Sequence, residues 1–160
     1  MQAFKKILSP VDLSEVSQKI VPMTIMVAKK FSSEIHLLFV ARRFEHLSSI
    51  YVAPMSIENL EEEIVKGAEQ KMEEFVEEHF GGYPDCKARV VIGDPAEEIV
   101  NYIKSESMGL VIIGTHGRKG IERIFFGSVA NRVIKTSPIP VLSINPYRAE
   151  GDQNGEISKD

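Results

Sequence analysis

The sequence predicts an α/β protein with a five-stranded parallel β-sheet and helices on both faces of the sheet. Short apolar runs of strand length alternate along the chain with longer segments in which apolar residues recur at helical spacing. Several of these runs are apolar almost throughout, which is typical of strands covered on both faces. Because strands and helices alternate, the strands are expected to be parallel and joined by right-handed crossovers.

The length and composition of the chain indicate one globular domain. Its 160 residues lie within the range of about 100–200 residues usual for a single domain. Hydrophobic residues make up 43% of the chain and charged residues 26%, so neither a disordered nor a fibrous class accounts for most of it. We expect residues 1–146 to form the domain and the polar residues 147–160 to be a disordered C-terminal tail.

The first half of the chain contains two strand signals and two helix signals. Asp12 and Ser14, both good capping residues, precede the first helical segment. Pro22 lies inside that segment, where it should bend the helix or remove a hydrogen bond. The predicted elements are a strand around Ile7-Leu8, a helix over Ser14–Lys30, a strand over Glu34–Val40 and a long amphipathic helix from about Ile57 to Gly81.

The second half contains three strand signals and two helix signals. Asp94-Pro95-Ala96-Glu97 supplies a capping acid, a first-turn proline and an acid three residues after the cap, which marks a helix start. Pro138 and Pro140 lack N–H donors, so the strand after them is expected at the edge of the sheet. The predicted elements are a strand over Ala88–Ile92, a helix after Asp94, a strand over Leu110–Ile113, a helix over Ser128–Thr136 and a strand over Val141–Ile144.

Charge, cysteine content and hydropathy exclude several classes of function. The net charge of -4 disfavours nucleic acid as a partner, because phosphate-backbone binding needs a basic face. Cys86 is the single cysteine, which excludes an internal disulfide and a CxxC pair. The polar start Met1–Lys6 does not resemble a signal peptide, and no uncharged run reaches the ~18 residues of a membrane span. We therefore expect a cytoplasmic protein without membrane contact.

Two loops carry the candidate ligand chemistry. In an open parallel sheet, ligands bind beyond the carboxyl ends of the strands, so only the loops after strands need searching. The loop after the first strand has no glycine, which disfavours the dinucleotide-binding fingerprint and hydride transfer. Asp12 in this loop either accepts hydrogen bonds from a ribose or adenine or caps the first helix, and both roles are compatible if Ser14 is the cap.

The loop after the fourth strand is rich in glycine and leads into a helix. Glycine allows positive φ and close approach of the main chain, so successive amides can point into one concavity. A helix N-terminus adds positive charge and unpaired N–H groups that suit phosphate oxygens, and Ser128 could donate its hydroxyl there. The alternative is an ordinary loop whose glycines form turns and whose Ser128 is a cap. The loop runs Gly114-Thr115-His116-Gly117-Arg118-Lys119-Gly120, then residues 121–126, then Gly127-Ser128.

The glycine spacing in this loop is similar to the ATP-binding signature of the universal stress protein family. Gly114 and Gly117 are separated by two residues, and nine residues then precede Gly127-Ser128. The resemblance covers about residues 4–144 and extends to three further segments in the right order. These are Phe4–Ser14 at the family's opening, Val91–Pro95 at its middle turn and Ser137–Leu142 at its closing strand.

The resemblance implies a Rossmann-like fold of the adenine nucleotide alpha hydrolase type, with strand order 3-2-1-4-5, and a site for ATP, AMP or ADP. It implies that Mg²⁺ bridges the phosphates, with no metal ligands assigned to side chains, and that two copies of the chain form a homodimer. Pairing of the edge strands Val141–Ile144 is the expected dimer contact. The implied nucleotide-binding residues are Pro10, Val11, Asp12 and Val40 around adenine and ribose, and Gly114, Thr115, His116, Gly117, Arg118, Gly127, Ser128 and Val129 around ribose and phosphates.

Other chemistries fit the sequence less well. Lys119-Gly120 has the wrong order for a Walker loop, and the nucleophile elbow Gly-x-Ser-x-Gly is absent. Asp94 follows a strand, as the phosphoacceptor of a receiver-like domain does, yet capping also explains it and no lysine follows the fifth strand. His36 fits a strand-packing or surface role better than metal ligation.

The expected function is nucleotide-responsive regulation of an unknown protein partner in a stress response. No catalytic residue is assigned, because no obvious general base faces an attacking water. Asp12 or His116 could support slow ATP hydrolysis, which is one alternative. The other alternative is an interaction module of the same fold that binds no nucleotide, as in the non-binding branch of the family.

Overall fold

The computed structural model describes residues 4–42, 54–116 and 127–147. The predicted tail lies outside these residues except for Tyr147, and its disorder stays a prediction. The strands are β1 (Lys6–Pro10), β2 (Glu34–Ala41), β3 (Cys86–Ile92), β4 (Leu110–Gly114) and β5 (Val141–Ile144), and the helices are α1 (Glu15–Phe31), α2 (Pro54–Phe80), α3 (Pro95–Ser105) and α4 (Ser128–Thr136).

The five strands form one parallel sheet in the order β3-β2-β1-β4-β5. This order confirms both the predicted fold class and the topology implied by the family resemblance. β1 lies in the centre, where Leu8 pairs with His36 of β2 on one side and with Val111 of β4 on the other. β5 forms an edge beside β4, with Leu142 opposite Ile112, as the flanking prolines predict.

Helix α1 begins and ends at residues with clear capping chemistry. Ser14 is the N-cap, and its side chain accepts a hydrogen bond from the Val16 amide. Ser32 ends the helix in the left-handed conformation, with φ 51°. Pro22 is exposed within the helix, which continues to Phe31, so its missing N–H does not end the element.

Two apolar cores lie on opposite faces of the sheet. α1 and α2 cover one face and α3 and α4 cover the other, so the domain has three layers. Burial of each large aliphatic side chain contributes about 1.5–3 kcal/mol to stability, before conformational entropy is counted. The first core includes Ile7, Ile20, Ile35, Leu37, Phe75 and Ile112, and the second includes Leu8, Leu38, Ile99, Ile103, Val111 and Val133.

His36 lies in the sheet as a packed polar residue with two ring partners. It is 1% exposed, with Nδ1 2.8 Å from the Tyr102 hydroxyl and Nε2 2.6 Å from Glu34 Oε1. Lys87 Nζ lies 2.6 Å from the same carboxylate oxygen and lowers the pKa of Glu34. These contacts agree with a packing role, and the described residues contain no group of His, Cys, Asp or Glu arranged to hold a metal ion.

No helix in the described ranges has both the length and the apolar character that crossing a membrane requires.

Candidate functional site

The strand order reverses direction between β1 and β4, the two central neighbours in the sheet. The chain leaves β1 toward the α1 face and leaves β4 toward α4 on the other face. The two departing loops therefore diverge at the carboxyl ends of the strands, the place where open α/β sheets bind ligands. The structure thus brings together the two loops that the sequence singles out.

Asp12, the first residue of the candidate site with a charged side chain, is oriented by two serines. Its Oδ1 accepts hydrogen bonds from the Ser14 amide at 3.0 Å, the Ser14 hydroxyl at 2.5 Å and the Ser17 hydroxyl at 2.6 Å. The Asp12 amide in turn donates to Ser17 Oγ at 2.9 Å. Since Ser14 caps α1, Asp12 is not the cap, and its carboxylate is held by the Ser14 amide and by the hydroxyls of Ser14 and Ser17.

The three apolar candidates around the adenine have different environments. Val11 is only 7% exposed and packs in the core under α1, so its side chain is not available to a ligand. Its amide donates to the Leu38 carbonyl at 3.0 Å and continues the β1–β2 pairing beyond Pro10. Pro10 is partly exposed at the end of β1, and Val40 is partly exposed near the end of β2 against the other core.

The loop after β4 returns to the sheet through contacts of Thr115. The Thr115 amide donates to the Ile144 carbonyl at 2.8 Å, and the Thr115 carbonyl accepts from the Gly127 amide at 2.5 Å. A side chain on Gly127 would meet this carbonyl, because a Cβ built there lies 3.1 Å from Thr115 O. The hydrogen bond between Gly127 and Thr115 therefore joins the two ends of the loop. Gly117 and Arg118, two of the predicted site residues, lie outside the described residues.

The two described glycines of the motif have ordinary backbone angles, and only Gly127 approaches a neighbour too closely for a side chain to fit without adjustment. No described glycine has positive φ, and Gly127 has φ -62° and ψ 145°. Gly114 lies at the end of β4, where a Cβ would lie 3.4 Å from the His116 carbonyl oxygen. Of the two properties that glycine offers, close approach of the main chain is therefore used at Gly127, and positive φ is used at neither position.

Helix α4 begins at the site without a side-chain cap. Its N-cap is Gly127, which offers no side-chain oxygen to the first turn. Ser128 is the exposed first residue of the helix, so the alternative in which it caps α4 is wrong. Val129 follows, partly buried against the α3/α4 core. The amides of this turn carry the partial positive charge of a helix N-terminus and suit an anion.

His116 is fixed by contacts on two sides. Its Nδ1 lies 2.9 Å from Thr115 Oγ1, and its ring meets the Tyr147 ring edge-on, with centroids 5.1 Å apart and planes at 81°. Lys19 Nζ of α1 lies 5.5 Å from the centroid of the same tyrosine. His116 is thus partly buried, with one ring contact and one side-chain partner, and its contact with a phosphate stays a prediction.

The sequence did not single out Tyr147, Lys19 or Ser17 as residues of this region. For Ser17 a signal existed, since serines two and five residues after Asp12 can both reach its carboxylate from the first turn of a helix. Tyr147 stands in a polar segment after β5, and its sequence neighbours do not indicate which loop it meets. Lys19 has no local signal beyond its place on a helix.

Asp94, the alternative phosphoacceptor, uses both carboxylate oxygens in structural contacts. Its Oδ1 accepts from the Glu97 amide at 3.0 Å and caps α3. Its Oδ2 lies 2.8 Å from Arg132 Nη1 of α4, and this guanidinium lowers the pKa of the Asp94 carboxyl. The contacts join α3 to α4 and account for the residue without a phosphoryl-transfer role.

Replacing Asp94 with alanine is expected to lower the free energy of unfolding by about 1 kcal/mol, because the N-cap bond of α3 is lost. Asp94→Asn keeps a capping oxygen and should lose less, since solvent screens the partly exposed pair with Arg132. The pKa of Asp94 is lower in the folded protein than in the unfolded chain, so the ionised carboxylate adds to the free energy of unfolding at pH values above the unfolded pKa. This contribution is lost as the pH falls through the folded pKa. Urea unfolding between about pH 6 and pH 3 should show this acid-dependent increment in the wild type and not in Asp94→Asn.

Comparisons with known proteins agree with this architecture. The model of the universal stress protein family matches residues 3–145. Universal stress protein MJ0531 of Methanocaldococcus jannaschii is 34% identical over 149 residues, which cover 92% of this chain and 85% of that protein. The solved structure of MJ0577 from the same organism has a TM-score of 0.75 and 31% identity, over 89% of this chain and 96% of that one.

A more distant solved structure shows the same fold. The universal stress protein from Archaeoglobus fulgidus in complex with dAMP has a TM-score of 0.60 over 91% of this chain and 100% of that one. Its 15% identity supports the fold alone.

The fold defines a class of protein, the doubly wound α/β domain, in which ligands bind at the switch point of the sheet. The family model spans nearly the whole chain, and two relatives exceed 30% identity over most of its length. The chain belongs to the universal stress protein family.

Proposed function

We propose that this protein binds an adenine nucleotide, ATP in the first place, in the crevice between the loops after β1 and β4. The observation that carries the proposal is that an oriented carboxylate follows β1 while a helix N-terminus without a side-chain cap follows the loop after β4, the two neighbouring strands at the switch point of the sheet. Asp12 stands on the β1 side, and Gly127 with the first turn of α4 stands on the β4 side. The carboxylate accepts hydrogen bonds from hydroxyl groups, and the helix N-terminus attracts anions, so together they suit a ligand that carries both.

The adenosine part of the ligand would lie on the β1 and β2 side. The main chain at Val11 and the partly exposed side chains of Pro10 and Val40 offer an apolar contact for the base. Because the Asp12 carboxylate accepts hydrogen bonds only, it suits the ribose hydroxyls or the exocyclic amino group of adenine. Ser14 and Ser17 fix its direction before the ligand arrives, which lowers the ordering cost of binding.

The phosphates would lie on the β4 and α4 side. Gly114, Thr115 and His116 lead toward the glycine loop, while Gly127, Ser128 and Val129 begin α4. Amides of the first helical turn, together with the Ser128 hydroxyl, supply donors to phosphate oxygens without a Walker lysine. Gly117 and Arg118, outside the described residues, complete the proposed set.

Mg²⁺ would reach the site with the nucleotide. The described residues contain no cluster of carboxylates or imidazoles that could hold a metal by itself. Magnesium is commonly bound through substrate phosphates and water, with few protein ligands, so this arrangement fits the ion. The role of the protein's own residues is to hold the phosphates that coordinate it.

The proposed biological role is regulation by nucleotide occupancy in a cytoplasmic homodimer. The solved relative from A. fulgidus carries dAMP, which shows that the fold accepts an adenine nucleotide in that protein. Asp12 Oδ1 is already engaged by two serines, so the carboxylate is arranged as a ligand for hydroxyls rather than as a general base. ATP would then act as a ligand that shifts the population of a surface recognised by a protein partner.

The proposal predicts that freshly purified protein releases an adenine nucleotide on denaturation, detectable by mass spectrometry. After that nucleotide is removed, titration calorimetry with ATP and Mg²⁺ should show one site per chain, and the melting temperature should rise with ATP concentration. GTP at the same concentration provides the comparison for base selectivity. A stable protein that releases no nucleotide and gives no heat with ATP, ADP or AMP would contradict the proposal.

A further inference from the structure

Tyr147 links the segment after β5 to the loop after β4. Its ring meets His116 edge-on at 5.1 Å, and Lys19 Nζ lies over the ring at 5.5 Å. The Tyr147 amide donates to Asn145 Oδ1 at 3.0 Å, a local turn that directs the chain back after the strand ends. Tyr147 is 48% exposed, so its contact with His116 is made at the surface and not in the core.

The His116 ring is thereby fixed next to the start of α4. A Cβ built on Gly127 would lie 3.9 Å from the His116 Cα, so this backbone passes close to the helix N-terminus. Nδ1 pairs with Thr115 Oγ1. When the Thr115 hydroxyl donates to Nδ1, a neutral ring carries its proton on Nε2, which makes Nε2 a donor suited to a phosphate oxygen.

We propose that Tyr147 is a positioning residue of the nucleotide site, which holds the His116 imidazole so that Nε2 donates to a phosphate of the bound nucleotide. The inference rests on the proposed nucleotide function and assigns a role within it. Tyr147 acts through ring packing, so its hydroxyl is dispensable and its effect concerns the phosphates rather than the adenosine part.

The test measures binding of ATP and of adenosine to the nucleotide-free protein. Tyr147→Ala is expected to weaken ATP binding roughly three- to tenfold, the range of one aromatic contact, and to leave adenosine binding unchanged. Tyr147→Phe keeps the ring and should bind ATP as the wild type does. In a His116→Ala background, Tyr147→Ala should have no further effect, because the two residues then act as one unit.

A matched control lies at the amino ends of the strands, away from the candidate site at their carboxyl ends. The rings of Phe4 and Phe31 also meet edge-on, with centroids 5.1 Å apart at 87°, and Phe31 is 38% exposed. Phe31→Ala removes a contact of similar geometry far from the site, so it should leave ATP affinity unchanged. In NMR spectra of the nucleotide-free protein, the His116 ring protons should shift in Tyr147→Ala and stay in place in Phe31→Ala.

The outcomes separate this inference from the function on which it rests. Wild-type protein that binds no adenine nucleotide overturns the proposed function, and with it the role of Tyr147. Wild-type protein that binds ATP while Tyr147→Ala binds it equally well overturns the positioning role alone. The positioning role is also overturned if Tyr147→Ala weakens ATP and adenosine binding to the same extent, or if it weakens ATP binding further in the His116→Ala background.

Discussion

Gly127→Val is expected to lower ATP affinity about 100-fold, because the new side chain would crowd the Thr115 carbonyl and displace the start of α4. The first added atom would lie 3.1 Å from the Thr115 carbonyl oxygen, which itself accepts the Gly127 amide at 2.5 Å. To relieve this contact, α4 must move away from the end of β4. Loss of two charge-assisted hydrogen bonds from the first turn of α4, at about 1.5 kcal/mol each, corresponds to this fold-change.

A graded series of variants distinguishes this effect from general damage to the fold. Gly127→Ala adds only the Cβ and should lower affinity less than valine does, while both should keep the circular dichroism of the wild type. Overpacking at this position is expected to cost about 1–3 kcal/mol of stability, which a folded domain can tolerate. Since the φ of Gly127 is ordinary, the penalty arises from packing and not from backbone strain.

Gly82 supplies the matched control for the series. No atom lies within 4 Å of a Cβ built on Gly82. Gly82 lies between α2 and the start of β3, at the amino ends of the strands and therefore away from the site. Gly82→Val should therefore bind ATP with wild-type affinity in calorimetry. If Gly127→Val also bound ATP with wild-type affinity, the nucleotide could not be held at the start of α4, and the proposed site would be wrong.

The fold could be predicted from the sequence because several independent signals agreed for each element. The strand Val141–Ile144 and the helix Ser128–Thr136 have the predicted bounds, and Asp94 caps α3 as its spacing indicates. Other elements begin or end a few residues away from their predicted bounds. Strand β3 begins at Cys86 rather than at the predicted Ala88, because its pairing with β2 extends beyond the apolar run. Pro22 within α1 shows the same dominance of tertiary packing over local propensity.

The candidate site could be predicted only where its residues have a local signature. Asp12 and the glycines follow strands, and a general rule for parallel sheets places such loops together. The position of Tyr147 against His116 depends on how the chain turns after β5, which no short-range pattern encodes. The need for glycine at position 127 also has no local signal, because a side chain there would meet Thr115, which lies at the other end of the loop.

Ser143→Pro is expected to convert the proposed homodimer into monomers while the domain stays folded. The carbonyls of Pro140 and Ile144 accept hydrogen bonds from the amides of Val111 in β4 and of Thr115 directly after β4. Because the direction of backbone groups alternates along a strand, Leu142 also faces β4, whereas the N–H and C=O of Val141 and Ser143 face the open edge. A second copy of β5 would pair with these outward groups, and proline at position 143 removes one of their donors.

The choice of position decides what the experiment measures. Proline at Leu142 would remove an N–H that faces β4, so it would damage the domain as well as the edge. Leu142→Lys tests the side-chain contribution instead, since Leu142 is 38% exposed beside this edge and a partner strand would cover it. Like charges brought together at a two-fold axis should oppose association, so this variant is also expected to be monomeric.

The opposite edge of the sheet provides the control for proline. The Asp85 carbonyl accepts from Ile35 and the Gly93 amide donates to Ala41, so the odd-numbered residues of β3 face β2. Ala88 therefore directs its N–H to the other open edge, and Ala88→Pro imposes a comparable backbone restriction there. Analytical ultracentrifugation should show a dimer for the wild type and Ala88→Pro, and monomers for Ser143→Pro and Leu142→Lys. A dimer that persists in both β5 variants would exclude this edge as the contact between copies.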